Sequence, residues 1–363
     1  AIVKRIVIKL GTGILTTGIG KVDTDRIDAI CSQVAAVRKR GIEVLIVSSG
    51  AVGMGMGVLD LQSRPTTLPK QQACAAIGQS RLIQCWQRGL DPYDLVAGQI
   101  LLTHEGLRIR NRYVNAKATI DQLLNYQVIP IINENDSVSD YEIKFGNNDI
   151  LGAMVASLAE ADQLYILSTA PGLIDMDGTG EIVPVVRAIT PEIEALAKGT
   201  NSPTAIGGMI PKIQAAKLAT HAGCETFIAD GASENIILRI LDGEKIGTRF
   251  VASEAPLVSK KRWLAYFQRP SGSIQIDEGA CRALVRDERS LLAAGVSHCQ
   301  GNFHAGDVID VLNPNGEPIA RGESAFSSHD IHQIARKSAT EIEALFPDRN
   351  RFEVIHRDAL VLL

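Results

Sequence analysis

The residues that could do chemistry are two lysines, several glycine-rich segments and a run of carboxylates and amides. Lys9 stands in the apolar run Ile6-Val7-Ile8-Lys9-Leu10, directly before Gly11-Thr12-Gly13. Glycines at the end of such a run let backbone N–H groups approach an anion, and the lysine adds a full positive charge beside them. The pattern is neither the dinucleotide fingerprint nor the P-loop, because here the lysine precedes the glycines. Ser48-Ser49-Gly50-Ala51-Val52-Gly53-Met54-Gly55 repeats the theme and is expected to form a second anion or substrate loop. Ile131-Ile132 run straight into Asn133-Glu134-Asn135-Asp136, and carboxylates with amides are what a protein uses to hold an ammonium group.

Two further segments add charge at helix starts. Lys144-Phe145-Gly146-Asn147-Asn148-Asp149 leads into an apolar helix, with Asp149 where an N-cap belongs and Asn148 able to orient a polar or anionic ligand. Gly207-Gly208-Met209-Ile210-Pro211-Lys212 combines a glycine turn, a proline suited to a first helical turn and a lysine. A cation there opposes the helix dipole, which points to an anionic ligand that offsets it. Each element also has a plain reading: a snorkelling lysine, an ordinary turn, a solvated loop or a cap. One economical account covers them all. Phosphoryl transfer between two anionic reactants needs positioning and positive charge, with little covalent work from the protein. Lys9 and Lys212 would offset charge on the transferring group and Asp149 would hold the lysines. The seven histidines fall outside these loops, which makes each a surface or packing residue on this reading.

The elements that must position these residues alternate strand and helix. Strand-like runs are expected at 6–10, 44–47, 95–101, 128–132, 164–167 and 226–229. Helical patterns are expected near 25–40, 71–88, 116–124 and 150–159, with another starting near Pro211. Such alternation predicts βαβ units and a mostly parallel sheet, whose ligands lie outside the carboxyl ends of the strands. The pattern changes near residue 253. Residues 253–270 read as a linker and the start of a second domain, and 271–363 as a small β-rich domain after a first domain over 1–252.

A chain of 363 residues, 45% of them apolar, can bury sizeable cores. Its net charge of −4 gives no support for bulk attraction to nucleic acid or membrane. Six cysteines without CxxC spacing argue against a zinc site or disulfide framework and fit a reducing cytoplasm. No apolar stretch nears roughly 18 residues, so no membrane span is expected. Lys4, Arg5 and Lys9 interrupt the first run, so no signal peptide is expected.

Read together, Val7-Ile8-Lys9-Leu10-Gly11-Thr12, Val47-Ser48-Ser49-Gly50-Ala51, Gly78-Gln79-Ser80-Arg81-Leu82, Gly98-Gln99-Ile100-Leu101-Leu102-Thr103 and Asn133-Glu134-Asn135-Asp136 resemble the amino acid kinase family. The resemblance is closest to members acting on the γ-carboxylate of L-glutamate. It implies a three-layer αβα sandwich with a mostly parallel sheet. It implies Lys9, Lys212 and Asp149 as catalytic residues, and Ser49, Gly50, Asn133, Asp136 and Asn148 as the glutamate site. The nucleotide site would comprise Lys9, Gly11, Thr12, Gly13, Ser168, Gly207, Gly208, Met209 and Lys212. Mg-ATP and L-glutamate would be the reactants, proline a feedback inhibitor, and the assembly a dimer or tetramer. No dedicated metal ligands are expected, because Mg²⁺ is held mostly by phosphates and water. Residues 271–363 resemble a PUA domain through Ile276-Asp277-Glu278-Gly279-Ala280, Gly301-Asn302-Phe303 and Ala320-Arg321-Gly322.

The chain departs from the family pattern at Asn147, Thr169, Ile206 and Pro211, the last three on the nucleotide side. One lost hydrogen bond to a nucleotide costs roughly 1–3 kcal/mol, or about 5- to 150-fold in affinity. Two other readings therefore stay open. One is a weakly active or non-catalytic homologue that senses glutamate or proline. The other is a sister kinase on another carboxylate or carbamate.

Overall fold

A computed structural model of the chain describes residues 2–139, 147–176, 178–198, 208–254, 258, 261 and 263–363. The backbone forms two compact units, Ala1–Pro256 and Leu257–Leu363. The first unit runs β1 (Arg5–Leu10), α1 (Thr12–Leu15), β2 (Thr16–Gly18), β3 (Lys21–Val22), α2 (Thr24–Lys39), β4 (Glu43–Ser48), α3 (Ala51–Val58), α4 (Leu68–Leu90), β5 (Ala97–Leu102), α5 (His104–Arg108), α6 (Arg110–Asn125) and β6 (Ile129–Glu134). It continues with α7 (Asn147–Leu158), β7 (Gln163–Ser168), β8 (Val185–Val186), α8 (Pro191–Lys198), α9 (Met209–His221), β9 (Glu225–Asp230), α10 (Ile236–Leu241) and β10 (Thr248–Phe250).

Eight strands pair in the order β5-β6-β4-β1-β7-β9-β10-β8. All neighbours are parallel except β9 and β10. β1 lies between β4 and β7, and its Ile6, Val7, Ile8 and Leu10 are all fully buried. A strand covered on both faces is an unbroken apolar run rather than an alternating one. Ile6, Ile8 and Leu10 face α2, α4 and α10 in a core with Ile27, Val34, Trp86 and Ile237. The other face of β1 carries Val7 and Lys9 and is covered by α7, where Gly152 lies against the Lys9 stem. These are the three layers of an αβα sandwich. α2 shows the local logic: the Asp23 side chain accepts from the Arg26 backbone N–H, and Ile27, Ile30, Cys31, Val34 and Val37 line one buried stripe.

Four local expectations change. The Gly11-Thr12-Gly13 turn opens into a single helical turn that buries Ile14 and Leu15. The glycine-rich 51–58 segment is helix α3 rather than a loop. Helix propensity opposes this, since each interior glycine is about 1 kcal/mol worse than alanine. Close packing decides instead: a Cβ at Gly55 would stand 1.8 Å from the Cys74 carbonyl oxygen in α4. β6 continues through Asn133 and Glu134, which are buried. α7 begins at Asn147, so Asp149 sits inside its first turn rather than at the cap.

The second unit has a five-stranded sheet in the order β13-β11-β14-β15-β17, made of β11 (Gly272–Ile276), β13 (Val296–Gly301), β14 (Val308–Leu312), β15 (Pro318–Glu323) and β17 (Leu360–Leu362). A two-stranded pair joins β12 (Leu291–Leu292) to β16 (Glu353–Ile355). Ile274, Phe303, Val311, Phe326 and Ile355 form its own core. Among the described residues no helix is long and apolar enough to cross a membrane.

Candidate active site

Because β1, β4, β5, β6 and β7 are parallel, their carboxyl ends fall along one edge of the sheet. Residues far apart in sequence meet there. Lys9, near the end of β1, is 4% exposed, and its Nζ lies 2.5 Å from Asp149 Oδ1. Lys212, in the first turn of α9, is also 4% exposed and its Nζ donates to Asp149 Oδ2 at 3.2 Å. Asp149 is wholly buried between the two lysines. Burial pushes the Lys212 ammonium below its ordinary pKa and nearby Lys9 adds to this, while Asp149 opposes it. Two cations meet at one buried carboxylate, which concentrates positive charge at this edge of the sheet. That is a place for an anion.

The acceptor-side residues form one network. Asn148 Nδ2 donates to Ser49 Oγ at 2.8 Å and to Asn133 Oδ1 at 3.2 Å. Asn133 Oδ1 also accepts from the Glu134 backbone N–H at 2.8 Å. Gly50 adopts φ 108°, a left-handed conformation that favours glycine, and this turns the chain from β4 into α3. The Trp86 indole N–H donates to Ser48 Oγ at 2.9 Å, fixing the start of that turn from inside the core.

A cavity of about 340 Å³ adjoins this network, lined by Ala51, Gln79, Gln99, Leu101, Glu134 and Asp136 among others. Two carboxylates share it. Glu134 is buried and receives the His104 ring Nδ1 at 2.8 Å. Burial and the Glu134 charge push the Asp136 carboxyl up to about 7, against Arg64 and His104, which pull it down. An ammonium group entering the cavity would relieve that repulsion.

On the opposite side, the Gly11 N–H donates to the Leu167 carbonyl at 3.0 Å and ties the start of α1 to β7. Ser168 ends β7, and its Oγ accepts from the Ala170 N–H. A Cβ at Gly13 would stand 3.1 Å from Thr169 Cγ2, so the Gly11–Gly13 segment and Thr169 lie together. Thr12 opens α1 and its carbonyl accepts from Thr16 Oγ. Gly208 precedes α9, and among the described residues no side chain caps this helix start, where first-turn N–H groups can receive a ligand except at Pro211, which has none. Met209 is buried. Gly207, Ile206 and Lys144 lie outside the described residues.

The structure thus joins Lys9, Lys212 and Asp149 in one cluster, and Ser49, Asn133 and Asn148 in one network. His104 departs from the expectation for histidines, since it pairs with Glu134 beside the cavity. Sequence reading also passed over Arg64, Gln79 and Trp86 as site residues. The one available signal for His104 was its place just after β5, at the same strand-end edge.

The profile of the Amino acid kinase family matches residues 4–230, and that of the PUA domain matches residues 272–346. A Glutamate 5-kinase of Trichlorobacter lovleyi is 44% identical over 365 aligned positions, covering 99% of this chain and 97% of that protein. A Glutamate 5-kinase of Caldanaerobacter subterraneus is 41% identical, with 99% and 98% covered. Among solved structures, a Giardia carbamate kinase is similar in fold, with a TM-score of 0.51 at 18% identity over 70% of this chain and 100% of that one. By family profile, by full-length relatives and by fold, the chain belongs to the amino acid kinase family.

Proposed function

We propose that this protein transfers the γ-phosphoryl group of ATP to the γ-carboxylate of L-glutamate, giving γ-glutamyl phosphate and ADP. The observation that carries the reading is the buried Lys9–Asp149–Lys212 cluster, which meets the acceptor network through adjacent Asn148 and Asp149 in the first turn of α7. Relatives that share more than 40% identity over nearly the whole chain bear the name Glutamate 5-kinase.

One γ-carboxylate oxygen attacks the terminal phosphorus while the bond to the β,γ-bridging oxygen breaks, and ADP leaves with that electron pair. Charge on the equatorial oxygens of the moving group is offset by Lys9 and Lys212. Asp149 holds both ammonium groups apart and in place. Ser49, Gly50, Asn133, Asp136 and Asn148 hold the amino acid, with Asp136 taking the ammonium. Gly11, Thr12, Gly13, Ser168, Gly207, Gly208 and Met209 hold the nucleotide together with the two lysines. Asp149 is committed to the lysines, and among the described residues no group of three or more His, Cys, Asp or Glu is placed to hold a metal. These residues fit a Mg²⁺ carried by the nucleotide phosphates and water, where it would neutralise charge on the β- and γ-oxygens. Under this reading the product feeds proline synthesis in the cytoplasm, proline is a feedback inhibitor and the protein is a dimer or tetramer.

The test is hydroxamate trapping of the acyl phosphate from purified protein with Mg-ATP and glutamate. Glutamate-dependent hydroxamate is the expected result, with Lys9→Ala lowering kcat by about 10²–10³-fold or more. Absence of hydroxamate from the unaltered protein, or undiminished turnover in Lys9→Ala, would sink the reading.

A further inference from the structure

Four amides, joined by three hydrogen bonds, run outward from the acceptor network in a single direction. Asn148 Nδ2 donates to Asn133 Oδ1, Asn133 Nδ2 donates to Gln79 Oε1 at 2.9 Å, and Gln79 Nε2 donates to Gln99 Oε1 at 3.0 Å. An amide can be turned end for end, so its orientation must be set by its neighbours. The Glu134 backbone N–H holds Asn133 Oδ1, which leaves Asn133 Nδ2 as a donor that needs an acceptor. Asn133 is only 2% exposed, so water is a poor substitute. Gln79 Oε1 is that acceptor. Both polar ends of Gln79 are engaged, although its side chain lines the cavity.

The position of Gln79 is itself built. It follows Gly78, where a Cβ would stand 1.7 Å from the Ala51 carbonyl oxygen at the start of α3. Only a glycine lets α4 approach the Ser49–Gly50–Ala51 turn this closely, and that approach delivers the next residue to Asn133. The buried Trp86, two turns further along α4, holds Ser48 of the same turn. One helix therefore grips the acceptor site at both its loop and its strand.

We propose that Gln79 is a positioning residue for the amino-acid acceptor: its side-chain oxygen fixes the Asn133 amide, and through it Asn148 and Ser49, in the orientation that receives the substrate. With Asn148 Nδ2 spent on Ser49 and Asn133, the Asn148 amide oxygen is the end of the relay that accepts from a ligand. This rests on the reading of Asn133 and Asn148 as acceptor-binding amides. Gln79 acts on acceptor affinity and leaves the nucleotide side untouched.

The test uses the full-length protein, calorimetric titration with L-glutamate and steady-state kinetics for both substrates. Gln79→Met keeps length and removes the acceptor; it is expected to weaken glutamate binding about tenfold. KM for ATP and kcat are expected to stay within about twofold, the mark of a lost ground-state contact on one substrate only. Gln79→Glu keeps an acceptor oxygen and is expected to restore affinity to within about threefold of the original protein. Combining Gln79→Met with Asn133→Ala should weaken binding no further than Asn133→Ala alone, since both remove one relay. Should Gln79→Met fail to fold, Gln79→Lys offers a donor to a donor from this half-buried position and is expected to weaken glutamate at least as much. Unchanged affinity in Gln79→Met or Gln79→Lys, additive losses in the double variant, or an equal rise in KM for ATP would overturn the positioning role. Unchanged affinity in Asn133→Ala would overturn the underlying reading of the amides. Absence of glutamate binding by the unaltered protein would overturn that reading and the relay together.

Discussion

Asp136 is held near neutrality by two pressures, and a substrate ammonium beside it would offset them by favouring the charged carboxylate. Burial and the Glu134 carboxylate push its pKa up to about 7. Below that value the empty site holds a neutral acid, which pairs poorly with an ammonium group. Binding then requires loss of a proton, so glutamate affinity should rise with pH by up to tenfold per unit below about 7 and level off above it. The glutamate ammonium and γ-carboxyl titrate well outside this window, so the limb belongs to the protein. In Asp136→Asn, glutamate calorimetry should show weak binding with no such limb. A limb that survives the substitution would assign the titration elsewhere. Folding carries the opposite sign. A carboxyl raised above its unfolded value favours the fold at low pH, and that contribution is lost as pH rises through about 7 in the ligand-free protein.

At the scale of elements, the contact between α3 and α4 is what sequence propensity least explains. Three glycines inside α3, at 53, 55 and 57, would destabilise an isolated helix. Backbone meets backbone at Gly55 against Cys74 and at Gly57 against Gly20, and α4 makes the reciprocal approach at Gly78 against Ala51, while Gly53 has no such neighbour. Gly78→Ala forces the two helices apart at the turn that carries Ser49 and Gly50. It should cost about 3 kcal/mol or more in stability. Glutamate affinity should fall further than ATP affinity, as thermal melts and substrate titrations can show. An unchanged melting temperature would mean that the helices can separate without loss. Glycine in this segment signals close approach, although by sequence it reads as a loop. Periodicity sees propensity along the chain and is blind to the partner helix.

At the scale of the molecule, each unit has its own apolar core, one around Ile8, Val34 and Trp86 and one around Ile274, Phe303 and Phe326. The proposed nucleotide site lies wholly in the first. Scanning calorimetry should therefore show a non-hydrolysable ATP analogue raising the transition of the first unit, since a ligand stabilises only the state it binds. Phe326→Ala, which empties a fully buried ring site, should lower the second transition by roughly 3–5 kcal/mol equivalent while the analogue's effect on the first persists. A single transition shifted equally by both perturbations would contradict independent cores.

By itself the sequence determined the alternation of strands and helices, the sheet they form and the strand-end glycines beside Lys9. These are local patterns: an apolar run such as Ile6–Leu10 is buried on both faces wherever the sheet places it, and a break in periodicity marks its end. The lysines were legible as anion-binding groups and were expected to meet at one transferring group, although 203 positions separate Lys9 from Lys212 and only the pairing of parallel strands brings their elements together. Tertiary structure alone decided that Asp149 lies inside the first turn of α7 rather than at its cap, that His104 pairs with Glu134, that 51–58 is helical and that Gln79 meets Asn133. Each of those depends on the distance between atoms remote along the chain, which no local pattern encodes.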